Sequence, residues 1–314
     1  MVDLPLVSII TPSFNQARFL EATLRSVLDQ DYPNFEYLVV DGASSDGSVD
    51  IIHRFADRLT WWISEKDSGQ SEAVNKGLRR ARGEYVGWLN SDDIYMPGAI
   101  SAAVAAFRSN PDAAVVYGDA RAIDANGRIL NLMRARQYSL VDLMSFNIIC
   151  QPAAFMRNLA VKQVDYLNPS YHLLMDNLLW INLARIAQLV YIQQTWASAR
   201  YHDQAKNRTR GAAYGQEAKL LIEDIKTRPE FVGIFNDNEK KIMAGVNRFN
   251  AFYLTDAGQT KDALRAYALA FRLHPRTALG DWKHILLAFL SLLGLQKVRS
   301  LYDRQRTYRI KQEK

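Results

Sequence analysis

The stretch VSIITPSFNQARFLEATLRSVLDQDYPNFEYLVVDGASSDGS, residues 7–48, decides the fold. The run LVSII (6–10) is apolar throughout and stops at Thr11-Pro12-Ser13, as a strand buried on both faces would. ARFLEATLRSVLDQ (17–30) then sets Phe19, Leu20, Thr23, Leu24, Val27 and Leu28 on one helical stripe. YLVVD (37–41) returns to the strand pattern and delivers Asp41 at its end.

The same alternation continues outward. SVDIIHRFADRL (48–59) has helical spacing through Val49, Ile52, Phe55 and Leu59, and WWIS (61–64) follows as a strand. The helix SEAVNKGLRRA (71–81), the strand YVGWL (85–89), a helix near 97–108 and the strand AAVVYGD (113–119) complete the series. This α/β order predicts a largely parallel sheet with helices on both faces. Thr11, Asp41 and Asp92 each lie just past the carboxyl end of a predicted strand, the edge where open α/β sheets bind ligands. Asp92 and Asp93 are adjacent, and two like charges there call for water or a nearby cation.

Beyond residue 130 the pattern loosens. CQPAAFMR (150–157) reads as a buried strand, MDNLLWINLARIA (175–187) as a helix with Asp176 near its N-terminus, and LVYIQQTWASARYH (189–202) as a strand. The polar DQAKNRTRGAAYG (203–215) is a domain boundary by composition. Everything after it is helical. AFYLTDAGQTKDALRAYALAFRLHP (251–275) keeps tetratricopeptide-like (TPR-like) spacing through Ala263, Tyr267, Ala270 and Pro275, with Gly258 in the turn. An ordinary helical hairpin is the alternative.

Composition narrows the classes. Of 314 residues, 48% are hydrophobic and 23% charged, as in a globular protein with a sizeable core. The net charge of +6 sits mostly in residues 281–314, which contribute +5, so a nucleic-acid partner is not expected. Cys150 is the single cysteine, which rules out an internal disulfide and fits a reducing compartment. No basic, apolar leader opens the sequence, and the longest apolar run, ILLAFLSLLGL (285–295), is too short to span a bilayer. A cytoplasmic location follows as the expectation. Two readings fit the end of the chain, 283–312: an interfacial helix on anionic lipid, or a helix packed on the rest with a solvated cationic end.

Two nucleotide motifs are excluded. No G-x-G-x-x-G follows a strand, and GASSDGS (42–48) has P-loop glycine spacing but Ser48 where a lysine is required. Instead, residues 6–120, through TPSFN, VVDGASSDGS, DSGQSEAVNKG and WLNSDD, resemble the nucleotide-sugar site of inverting family 2 glycosyltransferases. The resemblance continues more loosely to about 205 through QPAAFMR, MDNLLW and ARYHDQAK.

That resemblance implies a GT-A fold, a Rossmann-like, mixed but mostly parallel sheet over 1–210, with a C-terminal α-helical region over 211–314. By the same correspondence Thr11, Pro12, Ser13, Asn15, Asp41, Asp67, Gln70, Asn75, Ser91 and Asp92 line the donor site, with Asp41 on base or ribose or else capping its turn. Gly69 would allow close backbone approach, and Lys76 would sit near the diphosphate or in solvent. Family members bind Mn²⁺ or Mg²⁺ through a D-x-D motif. Here it reads NSDD, with Asn90 in place of the first acid, so Asp92, Asp93 and His202 are the implied metal group. Asp93 could instead stand behind the ligand or cap the next turn, and His202 could be structural.

Lys206 and Arg208 would form a cationic flap, and Arg200 is as readily structural. Asp176 matches the family's general base, with an N-cap as its alternative. The implied partners are a nucleotide-sugar donor, a UDP-sugar by the family's habit, and a saccharide or lipid-linked acceptor. The site would then work at the inner face of the cell membrane. Two other classes remain in view. A sugar nucleotidyltransferase would need glycines that TPSFNQARF lacks; a degenerate, non-catalytic scaffold would be consistent with Asn90.

Overall fold

The computed structural model describes residues 4–203, 205–206 and 210–293. The chain runs β1 (Val7–Ser13), α1 (Ala17–Leu28), β2 (Phe35–Asp41), α2 (Ser48–Phe55), β3 (Trp61–Ser64), α3 (Gln70–Arg80), β4 (Tyr85–Trp88), β5 (Ile94–Tyr95) and α4 (Ala99–Ser109). Then come β6 (Ala113–Asp124), β7 (Ile129–Met133), α5 (Leu140–Met144), β8 (Ala154–Arg157), α6 (Asn158–Gln163), α7 (Met175–Ile186) and β9 (Gln188–Tyr201). Its backbone contacts divide it into two units: Met1–Gln137 with Ile149–Tyr201, and Tyr138–Ile148 with His202–Lys314.

The first unit is a mixed sheet in the order β3-β2-β1-β4-β8-β6-β9-β5, with β7 on β6. β3, β2, β1 and β4 pair in parallel, β8 runs antiparallel between β4 and β6, and β6 and β9 are parallel. All seven residues of β1 are buried, because helices cover both faces. Successive residues of a strand face opposite ways. Ile9 joins the core formed with α1, α2 and α4, while Ile10 lies against Gly77 of α3, where an added Cβ would come within 2.4 Å of it.

Two expectations change in detail. Pro152 turns residues 151–153 into a short 3₁₀ segment, so β8 begins only at Ala154. The segment 138–148, which the expected boundary at 210 places in the first region, clusters with the C-terminal helices instead. Its helix α5 is opened by a Ser139–Asp142 capping box, and Asp142 also pairs with Lys241 Nζ at 2.9 Å.

The second unit otherwise consists of helices Gly211–Ile225, Pro229–Asp256, Thr260–Leu273, Pro275–Leu279 and Trp282–Leu292. Pro229 and Pro275 open their helices at positions where the missing N–H costs nothing. Gly258, at φ +74°, makes the turn of the 229–273 hairpin, and Ala263, Tyr267 and Ala270 are buried in it. Among the described residues no helix is long and apolar enough to cross a membrane. The tail beyond Leu293, with most of 283–312, lies outside the described residues, as does Arg208.

Candidate functional site

β1 and β2 pair so that Ser13 is level with Asp41, and β3 adds Ser64 beside it. Thr11 Oγ1 and Tyr37 OH share a hydrogen bond of 2.9 Å within the sheet, and Pro12 is buried between them and the edge. Ser13 is 3% exposed, and its Oγ has no partner in the structure. A buried polar atom without a partner is rare and marks a place where a ligand group can be received. Asp41 accepts three hydrogen bonds, from Ser44 N at 2.8 Å, Ser44 Oγ at 2.6 Å and Ser64 Oγ at 2.7 Å. It therefore braces its own turn at the end of β2.

Asn15 braces the same loop at φ +50°, a region Asn tolerates. Its N–H donates to Ser44 Oγ at 2.8 Å and its Oδ1 accepts from Ser45 N at 2.9 Å. Asp46 accepts from the N–H of Ala17 at 2.8 Å and from Ser48 Oγ at 2.6 Å. Short polar side chains thus fix residues 42–48 before any ligand arrives. Opposite, Asp67 Oδ1 accepts from Gly69 N at 2.9 Å. A Cβ on Gly42 would stand 2.7 Å from Asp67 Oδ2 and 3.2 Å from the ring of Phe14, so these three converge. Phe14 is 61% exposed, an apolar plate at a polar rim.

The acidic loop follows β4. Asn90 Oδ1 accepts from Trp88 Nε1 at 2.8 Å and from Gln70 Nε2 at 2.7 Å. Asn90 Nδ2 donates to Asp93 Oδ2 at 3.3 Å and to Gln151 Oε1 at 3.2 Å. Gln151 Nε2 donates in turn to the Trp88 carbonyl, and Ser91 is buried beside this network. Asp93 is buried, with its Oδ1 accepting from Arg200 N at 2.8 Å. Burial, and then the charge of Asp92, push its carboxyl well above the ordinary range.

Arg200 holds the loop from behind. Its Nε donates to the Asp92 carbonyl at 2.8 Å, its Nη1 to the Asp124 carbonyl at 3.2 Å, and its guanidinium lies 4.9 Å from the Phe19 ring centre. Of the two roles open to it, the structural one is realised.

Asp176 lies in the first turn of α7, with Oδ1 accepting from Asn177 N at 2.8 Å. Ser71 Oγ donates to Met175 Sδ at 3.1 Å, so α3 and α7 begin side by side. Cys150 connects this corner to the acidic loop: burial raises its thiol pKa first, and the charges of Asp93 and Asp176 raise it further.

Some expected site residues take other roles. Asn75 Nδ2 donates to the Leu167 carbonyl at 2.8 Å and its Oδ1 accepts from Leu167 N at 3.0 Å, which corrects its placement in the donor pocket. Lys76 pairs with Glu65 at 2.9 Å and Glu72 at 3.2 Å, and these bonds, Glu65 first, raise its pKa. His202, buried just after β9, and the exposed Lys206 belong to the second unit.

Phe14, Trp88 and Gln151 were not anticipated. Trp88 and Asn90 stand two apart, the spacing that shares one strand face, and that was the available signal.

Among the described residues no three His, Cys, Asp or Glu side chains gather into a metal cage. The donor set instead offers Asp92, a part-exposed hard oxygen ligand in the loop after β4, the strand that pairs with β1. That chemistry fits a divalent ion which takes one carboxylate and completes its shell with phosphate oxygens. Asp93, enclosed and hydrogen-bonded on both oxygens, is corrected from ligand to bracket.

Residues 8–162 match the family described as Glycosyl transferase family 2. This chain carries a family 2 glycosyltransferase domain. A putative teichuronic acid biosynthesis glycosyltransferase, TuaG of Bacillus subtilis (strain 168), is 46% identical over 92 residues, covering 28% of this chain and 36% of TuaG. S. aureus TarS 1-349, solved with UDP-GlcNAc, superposes on this chain with TM-score 0.61 at 16% identity, covering 92% of each. The mannosyltransferase PcManGT from Pyrobaculum calidifontis, solved with GDP-Man and Mn²⁺, gives 0.63 at 20% identity, covering 98% of this chain and 86% of that one. At such identities the likeness is of fold, and the fold is GT-A. Matches to the first curated relatives span 33%, 36% and 65% of their lengths.

Proposed function

We propose that this chain transfers a sugar from a nucleoside-diphosphate sugar, a UDP-sugar, to a hydroxyl acceptor with inversion, using Mn²⁺ or Mg²⁺. The observation that carries this reading is the rim itself. Ser13, Asp41, Asp67 and Asp92 come from separate segments; the first two end parallel strands of one sheet, and Asp92 lies in the loop after a third, β4.

The residues divide the work by chemistry. The exposed ring of Phe14 offers a stacking plate for the base, with Asp67 and the unpartnered Ser13 Oγ placed to meet its polar edge or the ribose. The N-termini of α3 and α7, which begin side by side, carry partial positive charge that would favour a diphosphate near them. Asp92 would hold the cation, which when bound stabilises the charge left on the departing diphosphate. Asp176 would take the proton from the acceptor hydroxyl, and its helix-start position favours the carboxylate form needed for that. Inversion in one displacement needs no covalent enzyme intermediate.

The curated relative TuaG supports a role in cell-surface polysaccharide synthesis, where acceptors can be lipid-linked. Helix Trp282–Leu292 exposes Trp282, Leu286 and Phe289, and the sequence after it is basic, which supports contact with an anionic membrane face.

The test is a pair of variants. Asp92→Asn should weaken Mn²⁺-dependent UDP binding, and Asp176→Asn should lower transfer by about 10²–10⁴-fold with UDP binding retained. An unchanged metal requirement in the first, or equal loss of binding in the second, would overturn the assigned roles.

A further inference from the structure

Asn90 stands where the family's motif has its first acid, and the structure gives a reason why an acid cannot serve there. The amide is read at both ends by Trp88, through groups that have one possible role each. The indole N–H of Trp88 can only donate, so it fixes Asn90 Oδ1 toward itself at 2.8 Å. The carbonyl of Trp88 can only accept, so it fixes Gln151 Nε2 toward itself and turns Gln151 Oε1 toward Asn90. Whatever occupies position 90 must therefore accept on one side and donate on the other. Asn90 does so, giving Nδ2 to Gln151 at 3.2 Å and to Asp93 Oδ2 at 3.3 Å. A carboxylate of the same shape would satisfy Trp88 and Gln70. It would also set acceptor against acceptor at Gln151 and put a second acid group directly against Asp93.

The consequence reaches both sides of the rim. Through Gln70 Nε2, at 2.7 Å, the hub holds the first residue of α3; through Asp93 it holds the loop that carries Asp92. We propose that Asn90 is the positioning residue of this site: an obligatory neutral hub that fixes the start of α3 and the Asp92 loop relative to each other. The substitution in the motif is on this account a built feature and not decay. The inference rests on the proposed transferase reading for its meaning, because the group being positioned is Asp92.

The test is an exchange of acid and amide, read on the full chain by thermal melting and by calorimetric UDP binding with and without Mn²⁺. Asn90→Asp should lower the melting temperature by several degrees and weaken Mn²⁺-dependent UDP binding by about tenfold, the loss of one net hydrogen bond to a charged group. Combining it with Asp93→Asn puts a donor back between the two positions, and should recover at least half of both losses. A purely structural defect would recover melting without recovering the Mn²⁺-dependent part of UDP binding, and that result would overturn the positioning role. So would an Asn90→Asp protein with wild-type melting and binding, or a double variant no better than the single one.

Should Asn90→Asp fail to fold, Asn90→Ala removes the hub without adding charge: weakened Mn²⁺-dependent binding is expected, and wild-type binding overturns the inference. A wild-type chain that binds no UDP at all would instead strike at the proposed function, while melting of the variants would still report on the hub.

Discussion

The main-chain N–H of Arg200 donates to Asp93 Oδ1 at 2.8 Å, joining positions 107 residues apart at the centre of the candidate site. The same arginine donates through Nε to the carbonyl of Asp92. Two consecutive residues of the acidic loop are thus held by one residue of β9, once through its backbone and once through its side chain. Replacing the side chain keeps the first bond and loses the second.

Arg200→Ala should therefore destabilise the fold by about 2 kcal/mol, since several carbonyls lose a charged donor while Asp93 keeps its backbone partner. Chemical denaturation measures this directly. Arg200→Lys, which cannot fork toward Asp92 and Asp124 together, should recover less than half.

Gly42 is where space at the donor side is tightest. Gly42→Ala would push against Asp67 Oδ2 and the Phe14 ring, at 2.7 and 3.2 Å. Both are near the surface and can give way, so the melting temperature should move by no more than about 2 °C. The KM for the donor should rise several-fold with kcat little changed, and steady-state kinetics would separate the two.

Glu36 offers a pH dependence far from the chemistry. It is 3% exposed and accepts from Ser8 Oγ at 2.6 Å, Arg82 N at 2.7 Å and Arg82 Nε at 2.8 Å. Burial alone would raise its pKa, but these donors together lower it below the ordinary 4.5. A depressed carboxyl stabilises the fold above its unfolded pKa, and that contribution fades as pH falls through the folded value. Glu36→Gln should thus melt lower than wild type at pH 7, by about 1–3 kcal/mol of stability, and the gap should close below pH 4.5. A gap that stayed constant across that range would contradict this account.

For the membrane face, the full chain should float with vesicles rich in anionic lipid and not with neutral ones. Leu286→Glu with Phe289→Glu, both exposed in the structure, should abolish flotation and leave melting unchanged. Equal flotation of the variant would remove that helix from consideration.

Much of this molecule can be read from its residues, and the pattern of success has a physical basis. Apolar spacing reports which face of an element is buried, so Phe19, Leu20, Leu24 and Val27 identified the inner face of α1 directly. Strand ends report where polar groups emerge, so Thr11, Asp41 and Asp92 are expected at one edge; β1 in fact runs on to Ser13 and encloses Thr11 within the sheet. Spacing cannot report which distant partner a polar group will choose. Gln70 and Asn75 occupy the same helix, yet one bonds to the acidic loop and the other to Leu167, ninety-two residues away. Asp92 and Asp93 differ for the same reason: β9 supplies an enclosing donor to the second and leaves the first part-exposed. Short pieces such as β5 were invisible because two residues carry no periodicity.

The position of Cys150 has a practical consequence for anyone studying motion in this molecule. It is the single cysteine in the sequence, and enclosure together with neighbouring negative charge keeps it in the thiol form. Maleimide dyes and spin labels react with thiolate, so they should react slowly with the half-buried native sulfur near neutral pH, a rate that labelling of the wild-type chain measures. Where that background rate is low, a reporter cysteine at the exposed Phe14 position can be read against it.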